Sequence, residues 1–246
     1  FGSYDYELVR RPKVLALAGE GVRSHNLGEI WHFFEEELRY PIDLIEASEI
    51  STVALESYNV IVLTEGYYSI GESTMEKIND WVSAGGRLVA IGSAINKLSG
   101  KDGFEIESKG TPEPDTSEKE PPVHHPEPYA GSDRRSMSDD IPGSIFQTTL
   151  DTTHPLCFGL GETYWTLKST TSNYQWLEEG GNAIYLDDSP RYYGFVGYRA
   201  LEKTKNTLIA GQEQIGGGSV VYFVDNPMFR SFWNSGKVLF SNALFF

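Results

Sequence analysis

The spacing of apolar residues changes period along the chain, and each change predicts an element. Lys13-Val-Leu-Ala-Leu-Ala-Gly19 is a nearly continuous apolar run closed by glycine, the pattern of a strand covered on both faces. Leu27, Ile30, Trp31, Phe34 and Leu38 then form a helical stripe, with Glu29, Glu35 and Glu36 away from it and Ser24 or Asn26 available as a cap. Pro41 ends that helix, and Ile42-Asp-Leu-Ile-Glu46 alternates as a strand does. Val60-Ile-Val-Leu63 predicts a third strand. Ser73-Thr-Met-Glu76 reads as a capping box opening a helix whose stripe is Met75, Ile78, Trp81 and Val82, stopped by Gly85-Gly86. Arg87-Leu-Val-Ala-Ile91 follows as a fourth strand. This alternation predicts an α/β fold with a doubly wound, mostly parallel sheet and right-handed crossovers.

The rhythm then breaks. Residues 101–142 hold 7 of the chain's 12 prolines and eleven acids against five bases, which predicts a flexible acidic Pro-rich insertion within a single domain spanning 1–246. Beyond it the chain is β-rich. Ser144–Leu150, Ala183–Leu186, Tyr193–Gly197, Thr207–Gly211 and Ser219–Val224 read as strands, and Lys237–Phe246 is apolar at helical spacing.

Composition narrows the function classes. A formal net charge of −15 makes nucleic acid a poor partner, since no phosphate backbone is drawn to such a surface. No run reaches the ~18 apolar residues of a membrane span, and Phe1–Lys13 lacks the apolar core of a secretory signal. The single cysteine, Cys157, excludes an internal disulfide and a cysteine-based zinc cage.

Several blocks in order carry a resemblance. They are Gly19-Glu-Gly-Val-Arg-Ser24 running into Gly28–Glu35, then Ser138–Ile145, His154–Leu160, Val224–Trp233 and Leu239–Leu244. Together they resemble the C-terminal region of large bacterial zinc carboxypeptidases, which is similar to class I glutamine amidotransferase domains. The resemblance implies a flavodoxin-like, amidotransferase-like fold. It further implies an accessory role for this chain within a longer periplasmic or extracellular metallopeptidase, contacting the peptidase domain or its peptide substrate. No cofactor is expected in this chain, and zinc is expected in the peptidase domain.

The candidate chemistry is sparse. His32-Phe-Phe-Glu35 with His154 mimics the spacing of a carboxypeptidase zinc set, but the helix places His32 and Glu35 one turn apart in an aromatic stripe, so a solvated pair is the better reading. His124 and His125 lie in the insertion and would need ligands from elsewhere. Amidotransferases need a cysteine at a sharp turn after a strand, and here that turn reads Ala90-Ile-Gly-Ser-Ala-Ile-Asn96. Ser93 and Cys157 are the weak nucleophile candidates of an alternative hydrolase reading. His125-Pro-Glu127 copies an amidotransferase triad segment but falls in the insertion instead of after a late strand. Gly19-Glu-Gly21 lacks the third glycine of a dinucleotide fingerprint, and Glu20 opposes a pyrophosphate, so the glycines are read as a tight turn, with Glu46 ending the next strand. Ligands of open α/β sheets bind outside the strands' carboxyl ends, which makes Tyr67, Tyr68, Asp225, Asn226 and Arg230 the candidates for a small-ligand site, with Arg230 paired to Asp225 as the structural alternative. Trp31, Trp165, Trp176 and Trp233 are expected mostly in the core.

Overall fold

The computed structural model describes residues 11–110 and 129–246. In it β1 (Val14–Ala18), α1 (Ser24–His32), β2 (Ile42–Glu46), β3 (Val60–Leu63), α2 (Glu72–Ser83) and β4 (Arg87–Ile91) follow one another as the apolar spacing predicts. The strands pair in parallel in the order β2-β1-β3-β4, and β10 (Gly218–Phe223) lies parallel against the far side of β4. That is the doubly wound order of a flavodoxin-type sheet. Beyond β10 the sheet turns antiparallel through β9 (Thr207–Ile215), β7 (Gly181–Leu186), β5 (Gly143–Leu150) and β6 (Tyr164–Lys168), with β8 (Tyr192–Phe195) also paired to β5.

Both faces of the parallel half are covered, which is why its strands read as unbroken apolar runs. One core packs Val14, Ala16, Val62 and Val89 against Ile30 and Phe34 and against Leu239, Phe240 and Ala243 of α5 (Asn234–Phe245). The other packs Leu15, Ile61 and Leu88 against Met75, Ile78 and Val82 of α2. Each Val, Leu, Ile, Phe or Met side chain so removed from water contributes about 1.5–3 kcal/mol. After His32 the first helix widens into a π-type turn over Phe33–Leu38, which carries both phenylalanines inward, and it ends at Arg39 in the left-handed region.

Three expectations are corrected. Neither Ser24 nor Asn26 caps α1, whose N-cap is Arg23 without a side-chain bond, because Asn26 is drawn off to Glu65. The capping box at Ser73 is not formed, since the N-cap of α2 is Gly71, two residues earlier. Trp31 and Trp176 stand 52% and 45% exposed instead of joining the core.

The stretch read as an insertion is anchored at both described ends. Phe104 and Ile106 are buried, and Gln175 and Lys109 bond backbone groups across that segment. Ser132–Ser138 forms α3, and Tyr198–Thr204 forms α4. Residues 111–128, including His124, His125 and Glu127, lie outside the described residues.

Candidate functional site

The carboxyl ends of β1, β3, β4 and β10 converge because these strands are parallel neighbours, and the loops leaving them are sewn together. The Tyr67 amide donates to the Gly21 carbonyl at 2.6 Å, and the Arg23 amide to the Glu65 carbonyl at 2.8 Å. Gly66 sits so close to the first loop that a Cβ there would stand 2.4 Å from the Gly21 carbonyl oxygen. The glycines of Gly19–Ser24 thus serve a tight turn; both Gly19 and Gly21 have φ near +80°.

The turn after β4 is where the sequence places a candidate nucleophile. Gly92 takes φ +55°, and a Cβ on it would meet the Glu65 carboxyl carbon at 2.6 Å, so Glu65 lies directly over the turn. The Ser93 hydroxyl accepts from the Gly66 amide at 3.1 Å and meets the Gly66 carbonyl at 3.3 Å. Glu65 accepts from Asn26 at 2.7 Å and from the Ser93 backbone amide. Burial pushes the Glu65 carboxyl above its ordinary range, opposed by the Arg23 charge and that amide, and reinforced by Glu29 and Asp225. The carboxyl nearest the serine therefore bonds its backbone, and the hydroxyl is taken up by the neighbouring loop.

The polar groups of the loop after β10 are likewise taken up by the protein itself, on β6 and α1. Asp225 is 8% exposed; Thr166 donates to it at 3.0 Å, and the Lys168 ammonium stands 3.6 Å away. Lys168, fully buried, also donates to the Ser172 carbonyl at 2.8 Å. Burial raises the Asp225 carboxyl, while Lys168 and Thr166 pull it back. Arg230 is not the partner of Asp225: its amide donates to Glu29 at 2.6 Å, and its guanidinium lies 5.2 Å from the Phe229 ring centroid. Asn226 donates to the other oxygen of Glu29 at 2.6 Å.

The five ligand candidates therefore divide. Asp225 and Asn226 share one loop, tied to Thr166 on β6 and to Glu29 on α1. Tyr67 is 76% exposed beside Arg23, whose guanidinium donates to its hydroxyl. Tyr68 is turned inward, its hydroxyl donating to the Thr64 carbonyl at 2.7 Å, with Lys97 over its ring. Cavities open elsewhere, one of about 520 Å³ between α2 and the segment around Asp102, another of about 680 Å³ beside Trp176.

Cys157 is 3% exposed, donates weakly to the Ala183 carbonyl at 3.4 Å, and burial pushes its thiol up to about 11. The His154 ring is no base for it, since Nδ1 accepts from the Leu156 amide at 3.1 Å and the Nε2 edge packs on Gly181. At pH 8 roughly one thiol in a thousand is ionised, so the native chain should react with a disulfide reagent far more slowly than the urea-unfolded chain; equal rates would refute this burial. His32 faces Glu37 at 3.5 Å while Glu35 accepts from Trp31 at 2.9 Å, so His32, Glu35 and His154 do not fit a zinc site.

Glu65, Lys168 and Glu29 organise this edge, yet periodicity did not mark them. Glu65 follows an apolar strand, a placement that could have flagged it. Lys168 occupies an inward position where alternation expects an apolar residue.

The arrangement is that of a class I glutamine amidotransferase-like fold, with mostly parallel strands in the doubly wound half. No protein-family model matches the chain, and no curated protein matches it significantly. Among solved structures it is similar to a ThuA-like protein from Parabacteroides merdae, with 14% identity, TM-score 0.59, and coverage of 95% of this chain and 89% of that one. It is also similar to a protein described as a GMP synthase component from Thermoplasma acidophilum, with 10% identity, TM-score 0.55, and coverage of 96% and 94%. A glutamine amidotransferase from Thermotoga maritima matches with 10% identity, TM-score 0.55, and coverage of 94% and 96%. At these identities the likeness is one of fold.

One consequence of the buried carboxyl is measurable. A carboxyl raised in the fold binds its proton more tightly there than in the unfolded chain, so stability declines as pH rises above the ordinary glutamate value and stays low beyond the folded value. Glu65→Gln should therefore flatten the urea-derived stability curve above about pH 4.5. An unchanged slope would show Glu65 to be solvated.

Proposed function

We propose that this chain is a non-catalytic accessory domain of a zinc carboxypeptidase-like metallopeptidase, acting by contact with the peptidase domain or a substrate chain outside the cytoplasm. The observation that carries the non-catalytic half is the closed turn after β4: Ser93 stands where a reactive cysteine would, and both hydrogen bonds of its hydroxyl go to Gly66. Asp225, after the adjacent strand β10, is committed to Lys168 and Thr166 and offers no free base. The alternative hydrolase reading finds no support at Cys157 either, whose thiol is buried and held protonated. The peptidase parent rests on the ordered sequence blocks from Gly19 to Leu244. In that reading the zinc belongs to the peptidase domain, where it would polarise the scissile carbonyl.

The test is the activity of the full-length parent with and without these residues. Deletion should reduce kcat/KM on a peptide substrate, whereas Ser93→Ala in the intact parent should leave it unchanged. Loss of activity in Ser93→Ala, with folding preserved, would overturn the non-catalytic assignment.

A further inference from the structure

We propose that an aromatic ridge on the outer face of β6, β5 and β8 is a docking surface, and that its occupant is an extended acidic segment of a partner polypeptide. The inference rests on the accessory reading above and names the face through which it acts.

The ridge follows from strand register. In β5 Ser144, Phe146 and Thr148 turn inward, so Ile145 and its partners Leu167 on β6 and Tyr193 on β8 turn outward. Trp165 joins them, its ring 5.6 Å from that of Tyr193. The Trp233 indole donates to the Trp165 carbonyl at 2.8 Å, Phe232 packs on Trp233 at 5.8 Å, and Phe229 on Phe232 at 5.9 Å. Tyr193 and Phe232 remain 54% and 57% exposed. A connected row of aromatics in which half-buried Trp165, Phe229 and Trp233 support exposed Tyr193 and Phe232 marks an interaction surface.

An arginine sits at each end. Arg191 donates to the Tyr193 hydroxyl at 2.7 Å with its guanidinium 5.5 Å from that ring, and Arg230 lies 5.2 Å from the Phe229 ring. Among the described residues neither has a carboxylate at ion-pair distance, in a chain of net charge −15 where Arg199, Lys203 and Lys237 each have one. The turn that presents Arg230 is strained: Arg230 and Ser231 take φ of 48° and 54°, neither being glycine. Such backbone is unfavourable for side chains other than glycine and persists where surrounding bonds enforce it, here the Arg230 amide on Glu29.

Guanidinium groups at both ends of an apolar row select carboxylates flanking apolar side chains. The whole-chain charge disfavours a dense polyanion such as nucleic acid, but beyond ~8 Å it is screened and does not prevent two local carboxylates from pairing. An acidic, extended polypeptide segment fits both conditions.

Random twelve-residue peptides displayed on phage, selected on the whole chain and counter-selected on the Arg191→Glu/Arg230→Glu variant, test this. Enriched sequences should place Asp or Glu on either side of an apolar stretch. The best of them, synthesised and labelled, should lose about tenfold or more in affinity against Trp165→Ser or Tyr193→Ser chains that retain their melting temperature. Basic or uncharged consensus sequences, no peptide that discriminates the variants, or a concentration-dependent dimer abolished by Trp165→Ser would overturn the proposal. A parent peptidase that still depends on this domain would then leave the accessory role standing while the ridge is discarded.

Discussion

Replacing Lys168 by methionine is expected to destabilise the fold by about 3–5 kcal/mol at neutral pH, because a buried carboxylate then loses the cation it is paired with. Lys168 is 0% and Asp225 8% exposed, and Thr166 would be left as the sole hydrogen-bond donor of the trio. The loss should depend on pH with a defined sign. Burial already raises Asp225, and removing the ammonium raises it further, so its proton binds more tightly in the fold than in the unfolded chain. The penalty therefore grows as pH climbs above the ordinary aspartate value and fades as pH falls towards it. Urea unfolding at pH 5 and pH 8 would show a larger deficit at pH 8. Adding Asp225→Asn to Lys168→Met should recover part of the loss, since the remaining group is neutral. Unaltered stability in the single variant would mean that the pair is absent in solution.

Phe240→Ala should cost a similar amount, about 3–5 kcal/mol, and lower the melting temperature by roughly 10 °C. Phe240 is fully buried in α5, and its ring lies 6.0 Å from Phe33, 6.4 Å from Phe34 and 6.4 Å from Phe223. Its removal opens a void between the helical layer and the sheet that these rings cannot close, because each is held by other neighbours. Val238→Ala, on the same helix but 37% exposed, is the control and should change stability by less than about 0.5 kcal/mol. A comparable effect of the two substitutions in a thermal melt would show that α5 does not dock as described.

How much was legible depended on whether burial and alternation agreed. The strands from Val14 to Ile91 are covered on both faces, and their apolar runs announced the parallel half directly. The strand Tyr164–Lys168 escaped notice because its inward set is Tyr164, Thr166 and Lys168, of which Thr166 and Lys168 meet Asp225 far along the chain. The caps of α1 and α2 were misplaced for a related reason: tertiary hydrogen bonds claimed Asn26, and Gly71 reached the required backbone geometry without a side-chain acceptor. At the strand ends, Asp225 and Asn226 were visible as polar residues after an apolar run. Their partners Lys168 and Glu29 were not, since both contacts join segments far apart in the chain. The outward turn of Trp31 and Trp176 defeats any rule that assigns tryptophan to the interior by type.

The buried ammonium on β6 has a bearing on self-association. β6 is the last strand of the sheet, so its outer backbone groups face no strand among the described residues. Sliding it by one residue would drive Trp165 and Leu167 inward and expel Lys168 from Asp225, so this edge is locked to a single alignment. A terminal strand with an inward charge is a poor template for another molecule's strand, and a concentrated solution of the chain is thereby protected from fibrous growth at this margin.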